Sequence, residues 1–322
     1  MKIKRIICAV LCLALTAAAF AGCGSKNKVK VIGISQYGEH ASLDNCREGF
    51  LQGLEKAGLK EGTDFKIDYQ NAGFDDSVAT QIAQSFSSKN VDMMCAIATP
   101  AATACFAAAE DKDIPVIFTA ITDPKGAKLT SGNITGTSDV LPVEGQLKLI
   151  RQLQPNAKSI GIIYTTSESN SAYTKSVYEE LGSQYGFKIE TVGVTAQSEV
   201  TQAVDTLIKK KVDCFSNLTD NNVVGVLPAI LEKTNEAKIP VYGSEIEQMK
   251  KGCVAGAGLD YIQLGIQTGE MAAKILKGET TADKLDYQTI TDYGTYVNSK
   301  ACTALNITVP NEVKTTAEEV GE

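Results

Sequence analysis

Side chains able to hold a small charged solute gather directly after apolar runs of this sequence. Tyr37, His40 and Leu43 follow Val31-Ile32-Gly33-Ile34. Thr99, Pro100 and Ala101 follow the run 93–97, and Ala120, Thr122 and Asp123 close the run at 116–119. In the second half, Ser167, Asn170 and Ser171 follow Ile160-Gly161-Ile162-Ile163. Thr219, Asp220 and Asn221 follow 214–218, Ser244 and Glu245 follow 241–243, and Asp260 follows 253–259. Most of these runs lead into helix signals. A helix start carries unpaired N–H groups and a partial positive charge, so it can hold a carboxylate without a full cation. Thr99-Pro100-Ala101 places proline in a first turn with small residues behind it, which lets a ligand approach the amides. Asp220 and, from the other half, Asp123 offer an acidic partner for an ammonium. Carboxylate donors together with an ammonium acceptor describe a zwitterionic amino acid, whose apolar part would rest on Tyr37, Leu43, Ala101 and Ala120. The same serines, threonines and aspartates also read as helix caps and Asx-turns, which need no ligand. His40 reads as a ligand donor or as a loop histidine without a role.

Catalytic patterns are missing. His40 is the only histidine, so Ser–His–Asp and Cys–His schemes would both have to use it. There is no H-E-x-x-H, no Cys/His cluster, no phosphate-binding glycine loop and no G-x-S-x-G; Gly33-Ile34-Ser35-Gln36-Tyr37 fails at its last position. The expectation is therefore a binding protein with no catalytic residue, no metal and no cofactor.

The elements that must position these residues are written twice. Gly33 and Gly161, Phe65 and Phe187, Val91 and Val212, and Ile114 and Ile239 sit in matching contexts, at offsets of 128, 122, 121 and 125 residues. Four landmarks in one order at a near-constant offset indicate a duplicated unit. Each unit alternates strand and helix signals, the pattern of a parallel sheet covered on both faces. The expected fold is α/β, with two Rossmann-like lobes whose parallel sheets are joined by a three-segment hinge. Residues 29–139 plus about 258–290 form lobe 1, and 140–257 plus about 291–322 form lobe 2. Connections near 137–142, 256–261 and 289–294 are rich in Gly, Pro and Asp, as hinges are. Ligands of parallel α/β sheets bind at the carboxyl ends of the strands, so two facing lobes place the polar runs across one cleft.

The N-terminus stands apart. Lys2, Lys4 and Arg5 precede an uncharged apolar run, which ends at Phe20-Ala21-Gly22-Cys23. Residues 1–22 read as a secretory signal. The residues before Cys23 resemble the lipobox of bacterial lipoproteins, which implies a lipidated Cys23, a tether at 23–28 and anchorage to the outer face of the cell membrane. The formal charge of −7 becomes −10 when the three cations of the signal are removed, which argues against nucleic acid as a partner. The six cysteines that remain beyond Cys23 lack C-x-x-C spacing and read as small buried hydrophobes.

Several runs carry a family resemblance. They are 36–44 with Arg47-Glu48-Gly49-Phe50, Tyr69-Gln70-Asn71-Ala72, Ala98-Thr99-Pro100-Ala101-Ala102, Thr122-Asp123-Pro124, Asn133-Ile134-Thr135-Gly136, Pro155-Asn156-Ala157-Lys158, Ser167-Glu168-Ser169-Asn170-Ser171, Thr219-Asp220-Asn221 and Asn235-Glu236-Ala237-Lys238-Ile239-Pro240. Together they resemble the ABC-transporter substrate-binding lipoproteins of the tryptophan/tyrosine-uptake type, from about residue 29 to Pro310. The resemblance implies a type I periplasmic-binding-protein fold, an importer permease as partner and an aromatic amino acid as solute. By the same similarity, the loops at Thr99, 167–171 and Asp220 would hold the head group. Ala41 departs from the proline the resemblance leads one to expect after His40. The alternatives are another solute (aliphatic amino acid, nucleoside or sugar) or a sensor lipoprotein. The expected mechanism is hinge closure of a monomer around the solute.

Overall fold

The computed structural model describes residues 28–321; the signal segment, Cys23 and most of the tether lie outside them. Strand β1 (Lys30–Gln36) feeds α1 (Ala41–Lys56), and the alternation continues through β2 (Phe65–Asn71), α2 (Asp76–Lys89), β3 (Met93–Ile97), α3 (Thr99–Ala109), β4 (Val116–Ile121) and β5 (Ile134–Ser138). β3, β4 and β5 are buried along their whole length, and β1 from Ile32 onward. A strand covered by helices on both faces has no solvent side, which is why these segments read as continuous apolar runs. The second half repeats the scheme: α4 (Val143–Leu153), β6 (Ser159–Thr165), α5 (Ser169–Gly182), β7 (Lys188–Val194), α6 (Gln197–Lys209), β8 (Cys214–Ser216), α7 (Asn221–Gly225), α8 (Leu227–Glu236), β9 (Val241–Glu245), α9 (Ile246–Lys251) and β10 (Ala255–Leu259). Then come α10 (Tyr261–Leu276), β11 (Gln288–Thr289), β12 (Gly294–Val297) and the short β13 (Glu318–Glu319).

The two sheets have one topology. The first runs β11-β5-β4-β3-β1-β2 and the second β13-β12-β10-β9-β8-β6-β7. Without the tail strands, each reads 5-4-3-1-2 in its own numbering, and all of these pairs are parallel. This is the doubly wound order in which the connections reverse direction beside the first strand, and ligands collect outside the strand ends at that reversal. The reversal lies between β1 and β3 in one lobe and between β6 and β8 in the other. The tail is the irregular part: β11 joins the first sheet, and β12 joins the second antiparallel to β10.

The chain passes between sheets at 139–142, at Asp260 and at 290–293. β10 stays in the second sheet through Leu259, so the middle crossing falls two residues beyond the expected boundary at 257. Beyond it, α10 packs on α1 of the first lobe at very close range. A Cβ on Gly49 would stand 2.1 Å from the Ile262 carbonyl oxygen, and one on Gly269 would stand 2.2 Å from the Phe50 carbonyl oxygen. Only glycine at 49, 53, 265 and 269 allows this backbone-to-backbone contact. Asp139, buried at the first crossing, accepts from Thr122 Oγ1 at 3.0 Å and from the Tyr261 hydroxyl at 2.6 Å. Burial pushes its carboxyl up. All six cysteines among the described residues are free and buried.

Candidate solute site between the lobes

The loop between β3 and α3 is under backbone strain. Ala98 sits at φ 80°, ψ 155°, a region almost reserved for glycine. Such a conformation costs about 1–3 kcal/mol, so the surrounding fold must hold it. It turns the chain sharply, and no side chain caps the α3 that follows. The Thr99 hydroxyl at this helix start is buried and has no hydrogen-bond partner. Ala120, at the end of β4, is a second non-glycine residue with positive φ, at 58°. The third in this lobe's strand-end loops is Phe74 after β2, at φ 65°.

The opposing lobe offers α5, which also lacks a side-chain cap. Its preceding residue, Glu168, turns its carboxylate toward α7. There it accepts from the backbone and side-chain nitrogens of Asn221 (3.1 and 2.6 Å) and of Asn222 (3.3 and 3.0 Å). Asn170 Nδ2 adds a further bond at 3.2 Å and also donates to the Thr219 carbonyl. Glu168 is thus a buried anchor with all its lone pairs in use. Burial and the neighbouring Asp220 carboxylate push its pKa up, against the pull of those donors. Because Asn170 Nδ2 is committed to Glu168 and Thr219, Asn170 Oδ1 is the atom left over; it is buried and without a partner.

Asp220 is fully buried, and its carboxylate is engaged. It accepts from Thr165 N and Thr165 Oγ1 and caps α7 through Val223 N at 3.0 Å. Asp220 thus fills the capping role that its position also allowed beside the ammonium role read for it. Asp123 accepts from Gly126 N at 2.9 Å, and the exposed Asp260 accepts from Ile262 N and Gln263 N; both are local caps. Thr122 donates to Asp139, and Ser244 donates to the Asn217 carbonyl at 2.7 Å. Glu245 accepts from Ser42 Oγ of the other lobe at 2.5 Å, so it joins lobes instead of facing a solute. Tyr37, Leu43, Ala101 and Ala120 are all buried in the first lobe's core.

Other expected residues do meet at the cleft. Thr99, Pro100 and Ser167 line a cavity of about 570 Å³ that also takes in Asp76 and Ser169, so both lobes contribute to its wall. Tyr37 donates to Asp76 Oδ1 at 2.9 Å. His40 is buried, with Nε2 3.4 Å from Asn221 Oδ1 of the other lobe, and burial pushes its pKa down to about 4. Ser171 is buried beside Asn170. Ser169 and Asn222 lie in loops the sequence points to, whereas Phe74, Asp76 and the anchoring role of Glu168 are absent from that expectation. Phe74 and Asp76 follow β2, an edge strand whose end was not counted among the site loops. Glu168 stood inside a run noticed only for its hydroxyls and amide. No group of three or more metal-ligating side chains occurs among the described residues.

Residues 31–321 match the family described as ABC transporter substrate binding protein. The chain belongs to this family. It is a substrate-binding protein of an ABC transporter, and such proteins work outside the cytoplasm. No helix of the described residues is long and apolar enough to cross a membrane. It is 36% identical over 326 residues to a tyrosine-binding protein of Clostridioides difficile, covering 95% of this chain and 93% of that one. A Streptococcus pneumonia ABC domain in complex with L-Trp matches at 32% identity and TM-score 0.87, covering 91% of this chain and 99% of that chain. A ligand-free, open substrate-binding protein with adhesive properties from Clostridium difficile is more similar in sequence, at 38%, with the same coverage, yet its TM-score is 0.67. Higher identity with a poorer global fit is what a different lobe angle produces. The substrate-binding protein described here, with Ser42–Glu245 and His40–Asn221 joining its lobes, has them drawn together.

Proposed function

We propose that this substrate-binding protein captures a free aromatic L-amino acid between its lobes and presents the closed form to an ABC permease, tethered to the membrane by a lipidated Cys23. The observation that carries the reading is the pair of buried, unpartnered polar atoms at two uncapped helix starts. Burying such atoms without partners is costly, so a bound solute is the natural source of the missing bonds. Thr99 Oγ1 and the first amides of α3 suit a carboxylate. Asn170 Oδ1 can only accept, and an ammonium can only donate. The aromatic preference leans on the tyrosine and L-Trp named for the two relatives. The reading is of a carrier without catalysis: the chain's single histidine sits neutral at the lobe interface, and the buried carboxylates are engaged by structural donors.

Titration calorimetry with the twenty amino acids, nucleosides and sugars tests it. Tyrosine, tryptophan or phenylalanine should bind most tightly, and the apparent stability should rise by about 2.7 kcal/mol at a hundredfold excess over Kd. A sugar or nucleoside response with no amino-acid response sinks the proposal. Mass spectrometry of the mature N-terminus checks the anchor independently; an unmodified Cys23 removes that part alone.

A further inference from the structure

We propose that Phe74 is the wedge that locks the lobes shut, a positioning residue for solute capture that seats its ring on α7 of the opposite lobe. The inference rests on the binding reading above, although its geometry stands apart from the head-group atoms. Phe74 belongs to the first lobe, and its backbone is left-handed at φ 65°, directly after Gly73 at φ 60°. An aromatic residue rarely accepts that conformation. Two hydrogen bonds hold it there: Phe74 N donates to the Tyr37 carbonyl at 2.8 Å, and the Tyr37 hydroxyl donates to the Phe74 carbonyl at 3.2 Å. The strained turn aims the ring away from its own strand. The ring lies over Gly38, where a Cβ would come within 2.0 Å of it, and its tip reaches the second lobe, 3.3 Å from where a Cβ on Gly225 would stand. Its flanks meet Tyr37 edge-on, with centroids 6.0 Å apart, and His40 in parallel at 6.4 Å.

The landing surface is prepared. Glu168 and Asp220 fix the start of α7 through Asn221, Asn222 and Val223. His40 meets Asn221 at one end of this five-residue helix, and Phe74 meets Gly225 at the other. Glu168 also orients Asn170. One anchor therefore sets both the proposed ammonium acceptor and the platform the wedge lands on. When the lobes part, the tip of the ring loses its partner across the cleft, and only the contacts within lobe 1 remain.

The test uses Phe74→Gly, which removes the ring and suits the left-handed backbone, and Gly225→Val in a Gln197→Ala background, because a Cβ at 225 would meet Gln197 Nε2 of its own lobe at 2.5 Å before the Phe74 tip at 3.3 Å. Affinities for L-tyrosine and L-tryptophan are measured, with small-angle scattering of the ligand-free and saturated proteins. A lower closed population divides the affinity for every ligand by the same factor. Both variants should weaken both amino acids by a common factor of roughly ten, and the saturated variants should scatter as more extended particles than the saturated wild type. A merely structural phenylalanine would lower the melting temperature of the ligand-free protein and leave affinity and scattering alone; that result overturns the proposal. Loss confined to one amino acid also overturns it, because a wedge does not discriminate. If the wild type binds neither amino acid, the parent reading fails, and the ligand-free comparison decides for the wedge: more extended scattering of the variants supports it, and identical scattering overturns it.

Discussion

At the scale of single residues, the site divides into atoms with partners and atoms without. Asp220 has partners. Its carboxylate serves Thr165 and the first turn of α7, so Asp220→Ala should be a stability variant. It removes a cap and leaves buried N–H groups unpaired, at a cost of about 2–4 kcal/mol in urea denaturation, and it costs affinity only in proportion to the fraction unfolded. Asn170 is the opposite case. Its Oδ1 is unpartnered, so on the proposed reading Asn170→Ala removes the solute's ammonium acceptor together with the Nδ2 bonds to Glu168 and the Thr219 carbonyl. Hydrogen bonds to charged groups contribute about 1.5–3 kcal/mol, and the Kd for tyrosine should rise roughly tenfold to a hundredfold in calorimetry. Equal affinity in that variant would remove Asn170 from the site. The sequence located both residues at strand ends, but it could not say which carboxylate or amide was already occupied. That depends on donors distant in sequence, such as Thr165 for Asp220, or Asn221 and Asn222 for Glu168, brought together only by the sheet order.

At the scale of elements, the repeated grammar is legible because each unit's inner strands are buried on both faces and leave long apolar runs, while the edge strands β2 and β7 are only half-buried. Strands without that signature escaped: β11 and β13 have two residues each, too few to form a pattern. The loop after β2 escaped for another reason. Left-handed backbone at a phenylalanine has no propensity signal, and only the tertiary bonds to Tyr37 impose it. The contact between α1 and α10 is readable in hindsight from Gly49, Gly53, Gly265 and Gly269, spaced one turn apart on each helix. Nothing in either helix alone says that the two meet. Their contact makes a firm prediction. Gly265→Ala would push a methyl to within 2.3 Å of the Cys46 carbonyl oxygen, which is backbone and cannot swing aside. The helices must separate, and overpacking of this kind costs about 1–3 kcal/mol. The melting temperature should fall, while a control change at the exposed Gly58, which has no neighbour within 4 Å, should be governed only by its positive φ.

At the scale of the molecule, closure buries two titratable groups that answer pH in opposite senses. His40 meets Asn221 across the lobes, with Lys251 and Asp44 nearby; burial lowers its pKa from 6.5 to about 4. Glu245 meets Ser42 across the lobes, with Gln248, Asp139 and Lys251 around it; burial raises its pKa from 4.5 to about 7. Between pH 6.5 and 4, the unfolded chain holds the histidine proton and the folded one does not, so the His40 contribution falls as the pH falls. Between pH 4.5 and 7, the folded chain holds the Glu245 proton and the unfolded one does not, so the Glu245 contribution falls as the pH rises. Each shift corresponds to about 3 kcal/mol, and over pH 4.5–6.5 the two slopes oppose. Glu168, pushed up to about 8 by burial and the Asp220 carboxylate, adds a slope of the same sign as Glu245, so each interface group is read from the difference between variant and wild type. Relative to the wild type, Glu245→Gln should lose stability as the pH drops from 7 toward 4.5. Relative to the wild type, His40→Asn should gain stability as the pH drops from 6.5 toward 4. Denaturation midpoints measured across pH 4–7 for the wild type and both variants check this directly. If both variants kept the wild-type profile, the interface groups would not be buried in the folded protein, and the drawn-together arrangement of the lobes would have to be abandoned with them.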